Sequence, residues 1–359
     1  MTNESYTLSR EALQSRVDKL ARVQIAHLPT PLEFCPRLTE ALGGPEIWIK
    51  RDDCTGLALG GNKTRQLEYI FAEALQQGAD TIVAGSGSQS NWCRQTAAAA
   101  CKFGIKTVLI LVHGVKGAAF QGNLLLDQLL GADVTIVEGE DLRKLPPLLE
   151  ERVEKLRREG RKPYLVNPFG LPTLSLAAVG YVNAFIELDA QLEEQGKEAD
   201  YIYMSGANIT PAGMALGVKA LCRKTRVMGI TPISWDEDRP TDIAHIADAT
   251  AERLELDIVF RPEEIYNEDG YVGERYGVMT PECREALKLV ARTEGIILDP
   301  VYTSKAMAGL IDHIRQGRIT KNETVIFLHT GGTPALFAYA EDLELTIKKQ
   351  LLFSPNGRI

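Results

Sequence analysis

Four short segments hold residues whose types and spacing suit chemistry. In ALGGNKTRQLEY (58–69), Gly60 and Gly61 precede Asn62 and Lys63, and a helical pattern follows. Paired glycines let a backbone turn sharply and approach a ligand closely. Lys63 is then either an ordinary surface cation or an amine that attacks an aldehyde. The second use needs burial, which lowers the pKa of the amine. In VAGSGSQSNWCRQTAAAA (83–100), a strand-like run enters a small polar turn and a helix opens near Ser90. Free N–H groups and the positive end of the helix dipole favour an anion there. Ser88, Gln89, Ser90 and Asn91 add neutral donors that suit a substrate carboxylate. Ser90 also suits a plain helix cap, and the two uses are compatible. Trp92 and Cys93 line either the site or the core.

The third segment is YMSGANITPAGMALG (203–217), a strand running into a Gly-containing turn with Pro211 near a helix start. Backbone N–H groups of Ala207, Asn208 and Ile209, with the Thr210 hydroxyl, suit a phosphate. The segment has neither a Walker lysine nor G-x-G-x-x-G, which gives nucleotide binding little support. The fourth pairs LDPVYTSKAMAGL (298–310) with FLHTGGTPALFAY (327–339). Tyr302 reads as a core aromatic with a wet tip or as a site residue. Thr330 precedes Gly331 and Gly332 at a strand end, where its hydroxyl can reach a ligand. Lys305 reads as a solvated or salt-bridged residue one turn into a helix.

Positioning these segments falls to alternating elements. TIVAG (81–85), VLILVHG (108–114), VTIVEG (134–139), YLVNP (164–168), YIYMSG (201–206), RVMGITPI (226–233) and VIFLHTGG (325–332) read as strands. Helical patterns cover 90–103, 123–130, 141–159, 174–195 and a stretch from about 211. Short apolar strands separated by helices predict parallel sheets in two open α/β domains with a cleft between them. Ligands in such sheets bind at the carboxyl ends of strands. No strand is read directly before GGNKTR.

At 359 residues, with 45% hydrophobic and 25% charged, the chain is long enough for two domains with large cores. A net charge of −8 argues against a nucleic-acid partner. No apolar run is read as approaching the roughly 20 residues of a membrane span. The charged start, MTNESYTLSREALQSRVDKL, lacks the apolar core of a signal peptide, so a cytoplasmic address is expected. The cysteines are Cys35, Cys54, Cys93, Cys101, Cys222 and Cys283. None forms a C-x-x-C pair and no histidine stands near one at zinc-like spacing, so six reduced thiols and no metal are expected. Cys93 and Cys101, eight apart, read as packing on one helical face.

Together the segments GGNKTR, SQSN, YGVMTPE, LDPVY and HTGGTPALFAY, in that order, resemble pyridoxal-phosphate enzymes of the tryptophan-synthase-β fold. Within that group they resemble the branch of D-cysteine desulfhydrase and 1-aminocyclopropane-1-carboxylate (ACC) deaminase. The opening HLPTPLE…IWIKRDDCTGLALGGNKTR (27–65) is similar too, and the likeness spans about residues 20–340. The resemblance implies a smaller α/β domain over 58–170 and a larger cofactor-binding domain over 1–57 plus 171–359. It implies pyridoxal 5'-phosphate held by Lys63, with Asn91 on its phenolic oxygen and the 206–210 turn on its phosphate. Ser90 would meet the substrate carboxylate, and Tyr276 and Tyr302 match two active-site tyrosines. A small amino acid is the implied substrate, and a homodimer the implied assembly.

Two positions separate reaction types. ACC deaminases carry Glu after the second tyrosine and Leu before the Gly-Gly turn. This chain carries Thr303 and Thr330, which resembles the desulfhydrase pattern and places both hydroxyls near the pyridine nitrogen. The chain departs from the pattern at 207–210, at PFGLPTLS (168–175) and at Trp92-Cys93. The leading expectation is β-elimination from D-cysteine to pyruvate, ammonia and sulfide. L-cysteate sulfo-lyase and ACC deaminase are the enzymatic alternatives. A non-catalytic amino-acid-binding α/β protein is the alternative from another class.

Overall fold

The computed structural model describes residues 8–235 and 238–345. Its strands are β1 (Leu32–Phe34), β2 (Glu46–Lys50), β3 (Thr81–Gly87), β4 (Lys106–Val112), β5 (Asp133–Val137), β6 (Pro163–Leu165), β7 (Tyr201–Ser205), β8 (Arg226–Ile230), β9 (Tyr266–Glu268) and β10 (Thr324–Leu328). Its α-helices are α1 (Arg10–Val17), α2 (Pro36–Leu42), α3 (Lys63–Gln76), α4 (Asn91–Lys102), α5 (Gly122–Leu129), α6 (Leu145–Arg158), α7 (Leu171–Glu194), α8 (Ile209–Ala220), α9 (Arg239–Arg253), α10 (Pro281–Glu294) and α11 (Thr303–Arg315).

The strands form two sheets. One runs β5-β4-β3-β6, entirely parallel and drawn from residues 81–165. The other runs β1-β2-β10-β7-β8-β9, parallel except for β1. Apolar composition explains the arrangement. β4 is buried at six of its seven residues and β7 at all five, as strands covered by helices on both faces must be. The seven expected strands are all present. β1, β2 and β9 were not read from the sequence. β2, EIWIK, pairs with β10 inside its sheet.

Parallel pairing brings strand ends together. Leu328 of β10 lies opposite both Lys50 of β2 and Met204 of β7, and Ser205 lies opposite Ile230. The segments after β3, β7, β8 and β10 therefore leave from the carboxyl ends of their strands, where open α/β sheets bind ligands.

Helix α7 corrects one expectation. It is long and apolar enough to cross a membrane by length and composition, but 78% of its apolar window is buried inside the protein. It packs on α3, α8 and α9 as a core helix. The cysteine reading also changes. Cys93 is buried and Cys101 exposed, so they do not share a packed face. The six cysteines form no disulfide, and no metal-binding cluster occurs among the described residues.

A buried polar network fixes α3. Arg65 donates to Asp52 Oδ1 and Oδ2 at 2.9 Å and to Glu187 Oε1 and Oε2 at 2.9 and 3.0 Å. Lys50 also bonds Glu187, and the Tyr181 hydroxyl donates to Asp52 at 2.7 Å. Burial alone would raise the pKa of Glu187. The bonds from Arg65 and the charges of Arg65 and Lys50 outweigh it and hold the carboxyl at about 2. Because the folded value is depressed, this stabilisation is complete above about pH 4.5 and is lost as pH falls toward 2. Glu187→Gln is expected to cost about 3–5 kcal/mol at neutral pH, since it leaves two buried cations short of an anion. In thermal melts the gap from wild type should narrow between pH 4.5 and 2. A gap that does not change over that range would contradict this account.

Candidate active site

Lys63 is the first residue of α3, and two glycine turns place it. Gly61 has φ 127° and Gly331 has φ 88°. A Cβ on Gly331 would lie 2.6 Å from Gly61 Cα, and one on Gly61 would lie 3.2 Å from Thr330 O. The turns thus pass backbone against backbone, which side chains would forbid. The Asn62 amide donates to Thr330 O at 3.0 Å. Lys63 and Thr330 consequently line one cavity of about 190 Å³. The Lys63 amine has no hydrogen-bond partner among the described residues. Desolvation brings its pKa down to about 8. It is the one charged side chain lining this cavity among the described residues.

The turn after β7 forms the cavity's second side. Ala207, Asn208, Ile209 and Thr210 all line it. The Ala207 and Asn208 amides meet no protein acceptor among the described residues. They stand at the N-terminus of the twelve-residue helix α8. Thr210 Oγ1 accepts from Asn62 Nδ2 at 3.1 Å and Gln66 Nε2 at 3.3 Å, so its own proton is free to donate. Ser205 Oγ is buried there without a partner. Free amides, a helix end and a spare hydroxyl proton make an anion cradle.

The third side is the start of α4. Ser90 caps the helix, accepting from Cys93 N at 3.2 Å, and also lines the cavity. Asn91 Oδ1 accepts from Asn123 Nδ2 at 3.0 Å and Arg94 Nη2 at 3.3 Å. A guanidinium only donates, so oxygen must face it, and Asn91 Nδ2 is left as a donor beside Gly332. Trp92 lines the cavity and also packs in the core, whereas Cys93 is a core residue.

Tyr276 and Tyr302 meet hydroxyl to hydroxyl at the cavity. Burial raises both pKa values, and the negative charge of nearby Asp299 adds to it. Both phenols are therefore neutral at working pH and can pass a proton between them. Asp299 shapes this corner. It accepts from the amides of Val301, Tyr302 and Thr303 at 2.9, 3.0 and 2.6 Å.

Two expectations fail here. Thr303 does not line the cavity. Its hydroxyl donates to Asp299 Oδ1 at 2.7 Å and accepts from the Asp299 amide at 2.7 Å. Near a helix start, successive residues point about 100° apart, so Tyr302 and Thr303 cannot face the same way. Thr330 does line the cavity, as does Ser205 at the end of the neighbouring strand. Lys305 is fully buried rather than solvated, with Nζ donating to Val272 O at 2.5 Å.

The sequence reading missed the outer wall. Leu142, Phe169, Ile233 and Trp235 line the cavity with Trp92. Phe169 and Trp235 meet edge to face at 6.5 Å, and Arg239 lies 5.5 Å over the Trp235 ring. Leu142, Ile233, Trp235 and Tyr276 are shared with an adjoining, wider cavity of about 460 Å³. The signal for Ile233 was the end of RVMGITPI (226–233), which was read as a strand and not searched for chemistry, and β8 itself ends at Ile230. PFGLPTLS touches the site through Pro168 and Phe169, while Leu171 is exposed.

An open two-sheet α/β fold with a desolvated lysine, an anion cradle and a proton-sharing tyrosine pair defines an enzyme working through an aldehyde cofactor that bears an anionic group. The family model for pyridoxal-phosphate dependent enzymes matches residues 23–331, and the chain belongs to that family. A solved structure described as an ACC deaminase homologue is 35% identical, with TM-score 0.84, covering 92% of this chain and 98% of its own. The processed form of threonine deaminase isoform 2 from Solanum lycopersicum shares the fold at 18% identity and TM-score 0.64, covering 96% of this chain and 90% of its own.

The fold is thus tryptophan-synthase-β-like, and the cofactor is pyridoxal 5'-phosphate. The residues present fit it. Lys63 suits the aldehyde, the 206–210 turn the phosphate, Asn91 Nδ2 the phenolic oxygen, and Thr330 or Ser205 the ring nitrogen. Because the free amine is the reactive form, cofactor uptake by apo-protein should accelerate with rising pH around a midpoint near 8. Stopped-flow absorbance across pH 6–11 (roughly, to bracket the ordinary lysine value) checks this. A midpoint near the ordinary lysine value would contradict the desolvated amine.

Proposed function

We propose that this protein is a lyase that eliminates a β leaving group from a small amino acid with an uncharged side chain. D-cysteine is the first choice, giving pyruvate, ammonia and sulfide with one water consumed. The observation that carries the proposal is the cavity lining, in which Lys63 is the one charged side chain among the described residues and Trp92, Leu142, Phe169, Ile233 and Trp235 form an apolar wall. An apolar wall accepts a thiol and penalises an unpaired second anion such as a sulfonate. This disfavours L-cysteate. No carboxylate lines the cavity among the described residues, so a hydroxyl such as that of Thr330 would meet the ring nitrogen of bound cofactor, without the charge that would keep that nitrogen protonated.

Bound pyridoxal phosphate supplies an electron sink for the carbanion formed at the substrate Cα. The chain's residues do the rest. Ser90 and the α4 N-terminus bind the substrate carboxylate. The near-neutral Lys63 amine takes the Cα proton. The Cβ–S bond then breaks with its electron pair leaving on sulfur, and the Tyr276–Tyr302 pair hands a proton to the departing sulfide. The apolar wall excludes water while the carbanion exists.

ACC deaminase is the second reading. It is favoured by the 35% identical structure described as an ACC deaminase homologue and by the tyrosine pair. Oxo-acid and ammonia release by holoenzyme from D-cysteine, L-cysteine, L-cysteate, β-chloro-D-alanine, D-serine and ACC separates the readings. D-cysteine and β-chloro-D-alanine should lead, with L-cysteate at least about 100-fold lower in kcat/KM, a loss in keeping with an unpaired buried anion. L-cysteate in the lead would overturn the neutral-side-chain reading, and ACC in the lead would establish the second one. We further propose a cytoplasmic homodimer. Leu59, Phe120, Leu129 and Phe337 are exposed, and the segments carrying Leu59 and Phe337 border α5 through Arg94, Asn123 and Pro334. Sedimentation velocity tests the assembly.

A further inference from the structure

We propose that Arg94 is a positioning residue that locks the lysine-bearing turn and the Asn91 amide into one geometry. The inference rests on the reading of Lys63 and Asn91 as cofactor contacts. Arg94 is wholly buried in α4 and forms no ion pair among the described residues. Its guanidinium bonds neutral oxygens only. Nε donates to Asn123 Oδ1 at 2.7 Å, and Nη1 donates to Ala58 O. Nη2 donates to Gly60 O at 3.1 Å and to Asn91 Oδ1 at 3.3 Å. The charge of Asp127, buried in α5 with no hydrogen-bond partner among the described residues, offsets part of the cost of burying this cation, while the hydrogen bonds of the guanidinium go to these neutral oxygens.

The turn it grips shows what these bonds do. Ala58, Leu59, Gly60 and Gly61 have φ of 43°, 71°, 67° and 127° in succession. Two of the four carry side chains, for which this backbone is strained. Arg94 holds the carbonyls of Ala58 and Gly60, five and three residues before Lys63. The same guanidinium, with Asn123 Nδ2, takes both sites on Asn91 Oδ1 and so aims Asn91 Nδ2. One side chain thereby ties the angle of the lysine's turn to the angle of the amide across the cavity.

The test is cofactor titration of apo-protein in Arg94→Lys and Asn123→Ala, with thermal melts to establish folding. Asn123→Ala is the milder change, and it removes both the acceptor of Arg94 Nε and the second donor to Asn91. Each variant should weaken pyridoxal phosphate binding at least tenfold, shift the bound cofactor's visible band, and displace the pH midpoint of uptake. Combined with Asn91→Ala, either variant should show less than its single effect, because part of its action runs through Asn91. Folded variants that bind the cofactor within twofold of wild type, with band and midpoint unchanged, would overturn the proposal. So would normal binding by Asn123→Ala if Arg94→Lys fails to fold. Wild-type protein that binds no cofactor would instead overturn the reading of the site itself.

Discussion

Lys63→Ala is expected to lower oxo-acid release from the best substrate by about 10³–10⁴-fold, with the fold intact. The substitution removes the amine that anchors the cofactor and the base at the substrate Cα in one step. No other lysine lines the cavity among the described residues. Lys305, three residues past Tyr302, is buried with its Nζ bound to Val272 O. The anion cradle at 206–210 survives the change, so the variant should still take up cofactor, but lose it on dialysis. Turnover within tenfold of wild type, measured on the holoenzyme after dialysis, would remove Lys63 from the mechanism.

Tyr302→Phe should lower kcat by about 10²–10³-fold while moving KM less. Phe keeps the ring in place against its apolar neighbours and deletes the hydroxyl bonded to Tyr276. Burial and the Asp299 charge keep both phenols protonated, so they serve as a donor pair and not as a phenolate. The remaining Tyr276 then holds a proton with no second hydroxyl to replace it from. A kcat within threefold of wild type would show that the leaving group or the product carbon takes its proton from elsewhere, with water in the wider cavity the next source to test.

The legibility of this chain in its sequence divides along physical lines. Buried strands such as VLILV announce themselves because both faces are covered, and the residues at their carboxyl ends follow from that. Ser90, Asn91, Thr210 and Thr330 were found in this way and Lys63 from the paired glycines before it, and the structure brings all five to one cavity. β2 was missed because EIWIK is short and ends in charges, although it lies inside its sheet between β1 and β10, with Lys50 buried against Glu187. Thr303 was misplaced because its position beside the ring was carried over from the resemblance, whereas its hydroxyl is taken up by Asp299. Lys305 looked solvated because its cover, the segment around Val272, is remote in sequence. The outer wall drew residues from three separate connections, and no local pattern joins Leu142, Phe169 and Trp235.

The central claim is that the cofactor sits on Lys63 in the 190 Å³ cavity, against an apolar wall. Borohydride reduction of holoenzyme, followed by proteolysis and mass mapping of the pyridoxyl label, tests it most directly. The label should lie on the peptide containing Lys63 and on no other. A label on Lys305 or on a surface lysine, with activity lost in proportion, would contradict the account.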